Sequence, residues 1–494
     1  MAEQGFQVPL IIRGRVILDR DLEFGGRRGG ASFASADVRK HLAALTVDTP
    51  SSLQDMYRLR FDELLDYLAD LGTRLSLDRN PYVNEAFELS RRTSGLSVEQ
   101  LRNVYRTFGR LFNRDYLREM MERTVGVKYL EDWVEGTVSS GARVAIRAFG
   151  ARAVHIVAGN HPGVSALTIA RNALTRSDAI IKTPSNDPLT AAAIARTMVD
   201  MAPDHPLTKH LSVAYWKGGD AEVEEILYQP RNIEKIIAWG GFASISHISK
   251  YIQPGIDLIT LDPKLSSTII GKDAFADART MRSVAERLAV DVGANNQEGC
   301  INARVIYVES GTDTQGVANA KSFGKMLYDA IQALPSHVSA PANAYDPELA
   351  EEIQGLRLAS MEHDIIGGGV EGGVIVSHHS DPVDFARLLY HRTANLVPVD
   401  DLEIPIRAVT AYTQTIGIYP ETLKAKIRNR LALHGAQRLV SLGYASNSNV
   451  MSVAGPQDAI EPTRRMCRWI VDEACDPGKI PLLSQLPAAP GVNQ

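Results

Sequence analysis

The stretch RAVHIVAGNHPGVSALTIARNALTRSDAIIKTPS, residues 152–185, decides the predicted fold. It begins with an apolar run that ends at a Gly-Asn turn, continues with a helical pattern over 164–176, and ends with a second apolar run over 179–185 that stops at polar residues. Short apolar runs that alternate with helices of 10–15 residues are typical of parallel strands joined by crossover helices. The stretch therefore predicts a doubly wound α/β sheet, in which ligands bind beyond the carboxyl ends of the strands.

The alternation continues on both sides of this stretch. Strands are predicted at 210–216 and 233–241, and a second alternating block runs from about 272 to 419. A helical period precedes the first block and a helical pattern follows the second. The predicted parts are N-terminal strands and a helical region over 1–135, a cofactor-binding domain over 136–271, a catalytic domain over 272–440, and a C-terminal helical segment over 441–494 that packs back on the cofactor-binding domain.

Composition excludes several classes of protein. The chain has 494 residues, with 53 basic and 58 acidic side chains and a formal net charge of −5. A nucleic-acid-binding protein is excluded, because such domains are strongly basic. No apolar run approaches the 18 or so residues of a membrane span, and the first residues lack a secretory signal pattern. We therefore expect a cytoplasmic protein without a membrane span.

Three cysteines, Cys300, Cys467 and Cys475, are too few for a disulfide framework or a four-cysteine zinc site. Cys300 follows a polar, glycine-containing turn and precedes an apolar strand, a position that suits a nucleophilic thiolate. The alternative for Cys300 is a buried small apolar residue. Cys467 and Cys475 lie eight residues apart on a helical pattern, which predicts packing residues.

Other polar residues stand at predicted strand ends. The Asn160 amide can donate to a developing oxyanion, or it can cap a helix. Lys182 can hold a nucleotide ribose or phosphate, or it can lie on a solvated turn. His378 and His379 are adjacent on a predicted strand and so point to opposite faces, which argues against a shared metal ion. We therefore predict no metal site.

The order of these motifs resembles the aldehyde dehydrogenase superfamily. The motifs are AGNHPG, IIKTPSNDP, WGGFASI, LDPKLSSTIIG and NNQEGC. Within the superfamily, the chain is most similar to the LuxC-type acyl-CoA reductases, since HGAQRLVSLG and PTRRMCRWIVDE match their Gly-x-x-Arg segment and the Arg-rich helix after it. The resemblance spans about Arg147 to Glu473. It implies two doubly wound domains and oligomerisation strands in VSSGARVAIRAFGARAV, hence a homodimer or tetramer.

The resemblance also implies roles for single residues. Cys300 attacks the acyl carbon, and the Asn160 amide and the Cys300 main-chain N–H hold the oxyanion. Asn186 stands where many members carry a glutamate that binds the ribose 2′-OH, which favours NADPH over NADH, although the neighbouring Asp187 weakens this preference. The remaining cofactor residues are Lys182 and Ser185 at the adenosine ribose, and Gly240 and Gly241 at the pyrophosphate.

One departure separates the chain from aldehyde-oxidising members. Their Glu-Leu-Gly-Gly-Lys glutamate, which activates water, falls here on about Leu261, and Asp262 is expected to point to the opposite strand face. Loss of this base favours reduction of a fatty acyl-CoA to the aldehyde over oxidation of an aldehyde. The alternatives are a hydrolytic aldehyde dehydrogenase and a non-catalytic subunit of a fatty-acid reductase complex. An acyl-protein synthetase partner is another source of the acyl group.

Two glutamates stay unassigned by the resemblance. Glu298, two residues before Cys300, either supports the site without touching the substrate or is simply a solvated polar residue of the turn. The superfamily glutamate that positions the nicotinamide ribose is expected within TANLVPVDDLE, residues 393–403.

Overall fold

The structure is a computed structural model. It describes residues 5–25, 31–47, 49–262, 264–342, 345–358, 362–446, 460–476 and 478–486. Among these residues, no helix combines the length and the apolar character needed to cross a bilayer.

The N-terminal region holds short strands followed by helices. The strands are β1 (Phe6–Val8), β2 (Leu10–Ile12), β3 (Arg15–Ile17), β4 (Leu22–Phe24) and β5 (Phe33–Ser35). The helices are α1 (Leu42–Leu45), α2 (Phe61–Arg74), α3 (Pro81–Thr93), α4 (Val98–Thr107), α5 (Arg114–Thr124) and α6 (Val127–Glu131). Ser97 starts α4 through a capping box with Gln100.

The next part alternates strands and helices as the sequence predicts. Its elements are β6 (Val134–Thr137), β7 (Arg143–Phe149), β8 (Arg152–Ile156), α7 (Gly163–Leu174), β9 (Asp178–Lys182), α8 (Thr190–Met201), α9 (Pro206–Lys209), β10 (Leu211–Ala214), α10 (Ala221–Leu227), β11 (Lys235–Trp239), α11 (Phe242–Ser249) and β12 (Asp257–Leu261). The first large sheet has the order β12-β11-β8-β9-β10-β2-β3, in which β12 to β10 are parallel. The winding reverses between β8 and β11, which is where such sheets bind ligands.

The second large sheet follows. Its part of the chain contains β13 (Leu265–Ile270), α12 (Ala278–Gly293), β14 (Ala303–Val308), α13 (Thr314–Gln332), α14 (Pro347–Leu358), β15 (His363–Gly369), β16 (Gly372–Ser377), β17 (Thr393–Pro398), α15 (Glu403–Arg407), β18 (Thr413–Tyr419), α16 (Glu421–His434) and β19 (Arg438–Ser441). The sheet order is β15-β16-β17-β14-β13-β18-β19, and β16 to β19 run parallel. The predicted architecture of two α/β sheets is confirmed.

The N-terminal helices share a core with the first sheet. Helix α2 buries one face, on which apolar residues recur every three or four positions: Phe61, Leu64, Leu65, Leu68 and Leu71. These residues join one apolar cluster with α7, α8 and the face of the first sheet. Burying such a face drives the association of helix and sheet. Strands β2 and β3, from the predicted N-terminal part, also join this sheet, and the exact domain boundaries stay predictions.

The predicted C-terminal helical segment over 441–494 is wrong in its described residues. The last elements are a short helix, α17 (Glu461–Met466), and a strand, β20 (Arg468–Ala474). Strand β20 pairs antiparallel with β7 along its whole length, in a sheet of order β20-β7-β6. Its Trp-Ile-Val run has high strand propensity, and the edge of β7 supplies hydrogen bonds that a local helical pattern does not reveal. The expected Arg-rich helix is thus mostly strand.

Candidate active site

A large cavity lies at the carboxyl ends of β8, β9 and β11 and reaches the loop before β14. Its volume is 3180 Å³, several times the roughly 300–1,000 Å³ of a site for one small ligand. The structure brings all the sequence-predicted site residues together on its wall, namely Asn160, Lys182, Ser185, Asn186, Gly240, Gly241 and Cys300. The cavity therefore has room for a dinucleotide and a second substrate at once.

Cys300 follows a turn, Ala294–Gln297, with an unusual main chain. Asn295, Asn296 and Gln297 have φ angles of 50°, 54° and 65°, in the left-handed region that side chains larger than glycine rarely adopt. Such a conformation persists only where its surroundings hold it, and it is common at functional sites. The Asn-Asn-Gln sequence suits the turn, because asparagine tolerates this region better than most residues. The turn places a partly exposed thiol at the cavity wall.

Side-chain amides hold this turn in place. The Gln297 amide nitrogen donates to the carbonyls of Ala303 and Thr393, at 2.8 and 2.9 Å, and its oxygen accepts the Thr393 N–H at 2.9 Å. Asn302 donates to the carbonyl of Ala294 and accepts from the N–H of Gly299. The Cys300 carbonyl itself accepts the Ser266 hydroxyl at 2.6 Å.

Asn160 links this turn to the first sheet. Its amide nitrogen lies 3.0 Å from the Glu298 carbonyl oxygen, to which it donates. The preceding residue, Gly159, accepts a hydrogen bond of 2.9 Å from the Asn186 amide. Residues 159–160 therefore connect the loop of Cys300 with the loop after β9. The Asn160 amide thereby contacts the turn that carries Cys300, and its role as an oxyanion donor stays a prediction.

Lys182 and a pair of glycines, Gly240 and Gly241, line the cavity at the carboxyl ends of β9 and β11, on either side of β8. The Lys182 ammonium lies 5.5 Å from the centre of the Trp216 ring, and burial lowers its pKa to about 8 against the attraction of the Glu224 carboxylate. Gly241 has no atom within 4 Å of the place where a Cβ would stand, and it caps α11. A diphosphate can therefore approach this helix start closely. These residues fit a nicotinamide dinucleotide.

Asp187 points away from the cavity. Its carboxylate accepts from the N–H and the hydroxyl of Thr190, at 3.3 and 2.5 Å, inside the core under α8. Burial raises its pKa to about 7. The sequence suggested that this carboxyl weakens a preference for NADPH, but the structure does not place it at the ribose site, because its Thr190 partner lies on the core side of the loop.

The N-terminal helices support both loops, which the sequence did not predict. The Thr93 hydroxyl donates to the Asn186 carbonyl at 2.7 Å. The Gln100 amide, fully buried, donates to the Asn296 side chain at 2.9 Å. The spacing of Ser97 and Gln100 indicates only a helix start. The hydrogen bond from Gln100 to Asn296 leaves no local signal, because the two residues are far apart in sequence.

Charged groups surround Cys300. The guanidinium groups of Arg304 and Arg438 lie within electrostatic range of its sulfur, and a Cys300 thiolate raises the pKa of each, although burial lowers both. Burial also raises the pKa of Glu298 to about 7, opposed by a hydrogen bond from Tyr390 and by the charge of Arg304. Two positive charges near the sulfur favour the thiolate form.

The wall also bears on the missing glutamate. Leu261 is buried at the end of β12, so no acid stands at the position of the missing glutamate. Asp262 also lines the cavity. Strand β12 ends at Leu261, so strand alternation does not fix the direction of the Asp262 side chain. Glu403, in the region expected to position the ribose, instead pairs with Arg430 outside the cavity.

The other cysteines differ from each other. Cys467 is 3% exposed in the core, and burial raises the pKa of its thiol to about 12, so its prediction as a packing residue is confirmed. Cys475 is exposed beyond β20, so it is not a packing residue there. Within the described ranges, no group of three or more His, Cys, Asp or Glu side chains could hold a metal ion.

A family model described as acyl-CoA reductase (LuxC) matches residues 56–469, most of the chain. The chain belongs to this family. The match also includes the N-terminal helices, which the resemblance in sequence did not reach. Among LuxC relatives, a long-chain acyl-protein thioester reductase of Aliivibrio fischeri is 25% identical over 447 residues, 88% of each chain. A protein of the same name from Photorhabdus laumondii is 30% identical over 373 residues, 74% of this chain and 72% of that one.

Solved structures show the fold of this LuxC-family chain. An indole-3-acetaldehyde dehydrogenase of P. syringae superimposes with a TM-score of 0.72 at 12% identity, over 95% of this chain and 97% of that one. An NADP-dependent glyceraldehyde-3-phosphate dehydrogenase of Bacillus halodurans superimposes with a TM-score of 0.68 at 13% identity, over 95% and 99% of the two chains. The aldehyde dehydrogenase fold is confirmed, and the chain is an oxidoreductase. The cytoplasmic location stays a prediction.

Proposed function

We propose that the chain reduces a fatty acyl-CoA thioester to the aldehyde with NADPH, through an S-acyl intermediate on Cys300, and releases CoA. One observation carries the proposal. The Asn160 amide reaches the turn of Cys300 at 3.0 Å, on the wall of a cavity that also fits a dinucleotide. A thiol, an oxyanion donor and a cofactor site thus share one space, and membership of a reductase family supports the direction of the reaction.

The first half of the reaction is acyl transfer. The Cys300 thiolate, favoured by Arg304 and Arg438, attacks the thioester carbon. The Asn160 amide and the Cys300 main-chain N–H donate to the developing oxyanion, which preorganised donors stabilise more than the ground state. The carbon–sulfur bond of the substrate breaks, its electron pair stays on the CoA sulfur, and CoA leaves as a thiolate that takes up a proton.

The second half uses the cofactor. Lys182 and Ser185 would hold the adenosine ribose, and the main chain at Gly240 and Gly241 would approach the pyrophosphate. A bound nicotinamide in its reduced form supplies the hydride that turns the acyl group into an aldehyde. The amide of Asn160 again stabilises the negative oxygen, and Cys300 leaves as the thiolate when the aldehyde forms. Because Leu261 occupies the position of the glutamate that activates water in aldehyde-oxidising members, no carboxylate stands there to promote hydrolysis.

The proposed cofactor preference rests on the loop after β9. Asn186 lines the cavity there and carries no charge that would repel a 2′-phosphate. Asp187 faces the core, so it offers no such repulsion either. We therefore propose NADPH as the preferred reductant, with NADH as the weaker alternative.

The acyl donor is proposed to be acyl-CoA, with transfer from an acyl-protein synthetase partner as the second source. The family description favours the first, and the names of the relatives, acyl-protein thioester reductases, favour the second. Both donors present the same thioester to Cys300. Steady-state reduction of purified acyl-CoA without a partner distinguishes them.

Intact-mass spectrometry after addition of a fatty acyl-CoA, without cofactor, tests the proposal. We expect one acyl adduct, mapped to Cys300, that disappears when NADPH is added and yields aldehyde. Cys300→Ser should show no adduct, whereas the control Cys475→Ser should acylate like the wild type. An unacylated wild-type chain that oxidises aldehydes, with activity dependent on Asp262, would support a hydrolytic dehydrogenase instead. A Cys300→Ser variant with full activity would support a non-catalytic subunit.

We also propose that the chain forms a homodimer or tetramer through the β20-β7-β6 sheet. Strand β20 lies at the edge of this sheet and exposes Trp469, Ile470 and Val471, at 38%, 42% and 54%. An exposed apolar edge strand is a site for pairing with another chain. Light scattering should show a dimer or tetramer, and Val471→Lys should shift it toward the monomer.

A further inference from the structure

We propose that Glu298 carries the proton of acyl transfer: its carboxylate takes the proton from the Cys300 thiol and returns it to the thiol that leaves the substrate. The inference rests on the proposed function, because it concerns how Cys300 becomes acylated. It gives a chemical role to Glu298, for which the sequence left two alternatives: indirect support of the site, or a solvated position in the turn.

The turn before β14 brings Glu298 and Cys300 to the same cavity, and the charge of Arg304 acts on both side chains. Glu298 stands two residues before Cys300 on the same tight turn, and both line the cavity. Its carbonyl is fixed by the Asn160 amide, and its carboxylate accepts the Tyr390 hydroxyl. On the other side lies the main chain of Gly95, where a Cβ would come within 2.1 Å of the carboxyl oxygen. Gly95 and Tyr390 therefore confine the carboxyl within the turn that carries Cys300.

The charges around Glu298 suit a proton carrier. The groups that act on its carboxyl are the Tyr390 hydroxyl and the Arg304 guanidinium, and the Gly95 main chain of the N-terminal segment packs against it. Arg304 also attracts the Cys300 thiolate. A proton that moves between Glu298 and Cys300 leaves one negative charge beside Arg304 in either arrangement. This exchange avoids the free-energy cost of ionising Glu298 and Cys300 side by side, and it avoids leaving the Arg304 cation without a negative partner.

Burial supports the same role. It raises the pKa of Glu298 to about 7, so both protonation states are populated near neutral pH. A general acid–base group works best when its pKa lies near the working pH. His161, which also lines the cavity, cannot serve in the same way: its Nδ1 accepts the Gly163 N–H, and burial lowers its pKa to about 4.

The step balances without any further reactant. The Cys300 S–H bond breaks, its proton goes to the Glu298 carboxylate, and the sulfur lone pair forms the new bond to the acyl carbon. The bond from the acyl carbon to the substrate sulfur then breaks, and its electron pair stays on the departing sulfur. Glu298 returns its proton to that sulfur. The products are the S-acyl enzyme, a free thiol and the original Glu298 carboxylate.

Single-turnover acylation of Glu298→Gln, without cofactor, tests the assignment. The probes are two octanoyl thioesters, one of CoA and one of 4-nitrothiophenol, whose acidic thiol leaves without a proton. We expect acylation by the alkyl thioester to fall about 10²-fold, the lower end of the range for general acid–base groups. Acylation by the aryl thioester should fall much less, and the inflection near pH 7 in the wild-type acylation rate should disappear.

Glu99→Gln is the matched control, because Glu99 is exposed on α4 and lies outside the cavity wall. Its acylation rates should equal those of the wild type, and thermal unfolding should show that both variants fold. Equal losses with both thioesters would show that Glu298 returns no proton to the leaving thiol and would overturn the proposal, as would an unchanged Glu298→Gln rate. A wild-type chain that forms no Cys300 adduct would instead overturn the proposed function itself.

Discussion

Two loops of the cavity each carry a buried carboxyl, and the comparison between them shows how placement decides a role. The loop after β9 holds Asp187 and the loop before β14 holds Glu298, and burial raises the pKa of each to about 7. Asp187 bonds a Thr190 hydroxyl in the core and does not line the cavity, whereas Glu298 lines the cavity together with Cys300. Burial therefore raises the pKa of both carboxyls alike, but Asp187 has a structural role, whereas Glu298 is available for chemistry.

The loops also differ in what holds them. The loop after β9 follows directly from a strand of the parallel sheet, and none of its residues 183–189 has a positive φ. The turn before β14 has three consecutive left-handed residues, held by the amides of Gln297, Asn302 and Gln100. Residues 159–160 connect the two loops, with one hydrogen bond to each. Precise placement of the thiol thus depends on side chains more than on sheet register.

Breaking the connection at Asn160 should have the largest effect. Asn160→Ala removes both the oxyanion donor and the hydrogen bond to the Glu298 carbonyl, so we expect acylation of Cys300 to slow by roughly 10²–10³-fold. Because Asn160 is exposed in the cavity, the unfolding midpoint should change little. Stopped-flow release of the leaving thiol measures the rate. The exposed Asn84→Ala serves as the control, and an Asn160→Ala rate within a factor of two of it would refute the role.

Removing a support of the cysteine turn should be the next largest effect. Gln297→Ala removes the side-chain donor of the buried carbonyls of Ala303 and Thr393, whereas the Thr393 N–H keeps its hydrogen bond to the Tyr390 carbonyl. Each such group costs about 1–3 kcal/mol, so we expect a loss of at least about 2 kcal/mol in the free energy of unfolding. Urea denaturation measures it. The exposed Gln315→Ala should change stability by less than about 0.5 kcal/mol, and equal values for both variants would contradict the comparison.

Adding a charge to the other loop should have a smaller effect, confined to the cofactor. Asn186→Glu places a carboxylate on the cavity wall, where it repels a 2′-phosphate but not a 2′-hydroxyl. We expect the ratio of kcat/KM for NADPH to that for NADH to fall by about tenfold, which corresponds to about 1.4 kcal/mol. Asn186→Gln keeps the size of the glutamate without its charge and should retain the wild-type ratio. An unchanged ratio in both variants would place the ribose elsewhere.

Removing the buried carboxyl of Asp187, in the loop after β9, should have the smallest effect, and it should change stability alone. The pKa of Asp187 in the folded chain, about 7, exceeds its value in an unfolded chain. Its protonated form therefore contributes stability that is fully present below about pH 4 and is lost as the pH rises through about 7. Asp187→Asn should flatten this loss, measured by urea denaturation at several pH values. The acylation rate of Asp187→Asn should keep the wild-type pH profile. A shifted profile would show that Asp187 also affects the reaction and would contradict the distinction between the two loops.

Much of the fold was predictable because its signals are local. The strand and helix alternation over 152–241 follows from apolar runs, turns and helical periods within single elements. The polar residues at strand ends, Asn160 and Lys182, follow from the rule that parallel strands present their carboxyl ends at one edge. The strand β20 was not predictable in this way, because its partner β7 lies about 320 residues away.

By itself, the sequence determined the two parallel sheets, the nucleophile candidate and the residues at the strand ends. Only the tertiary structure decided which acidic residue lines the cavity, that Asp262 lines the wall beside a buried Leu261, and that Gln100 supports the turn of Cys300. The reason is physical. Secondary structure follows from residues near in sequence, whereas burial, charge and hydrogen-bond partners at the site come from elements that only the folded chain brings together.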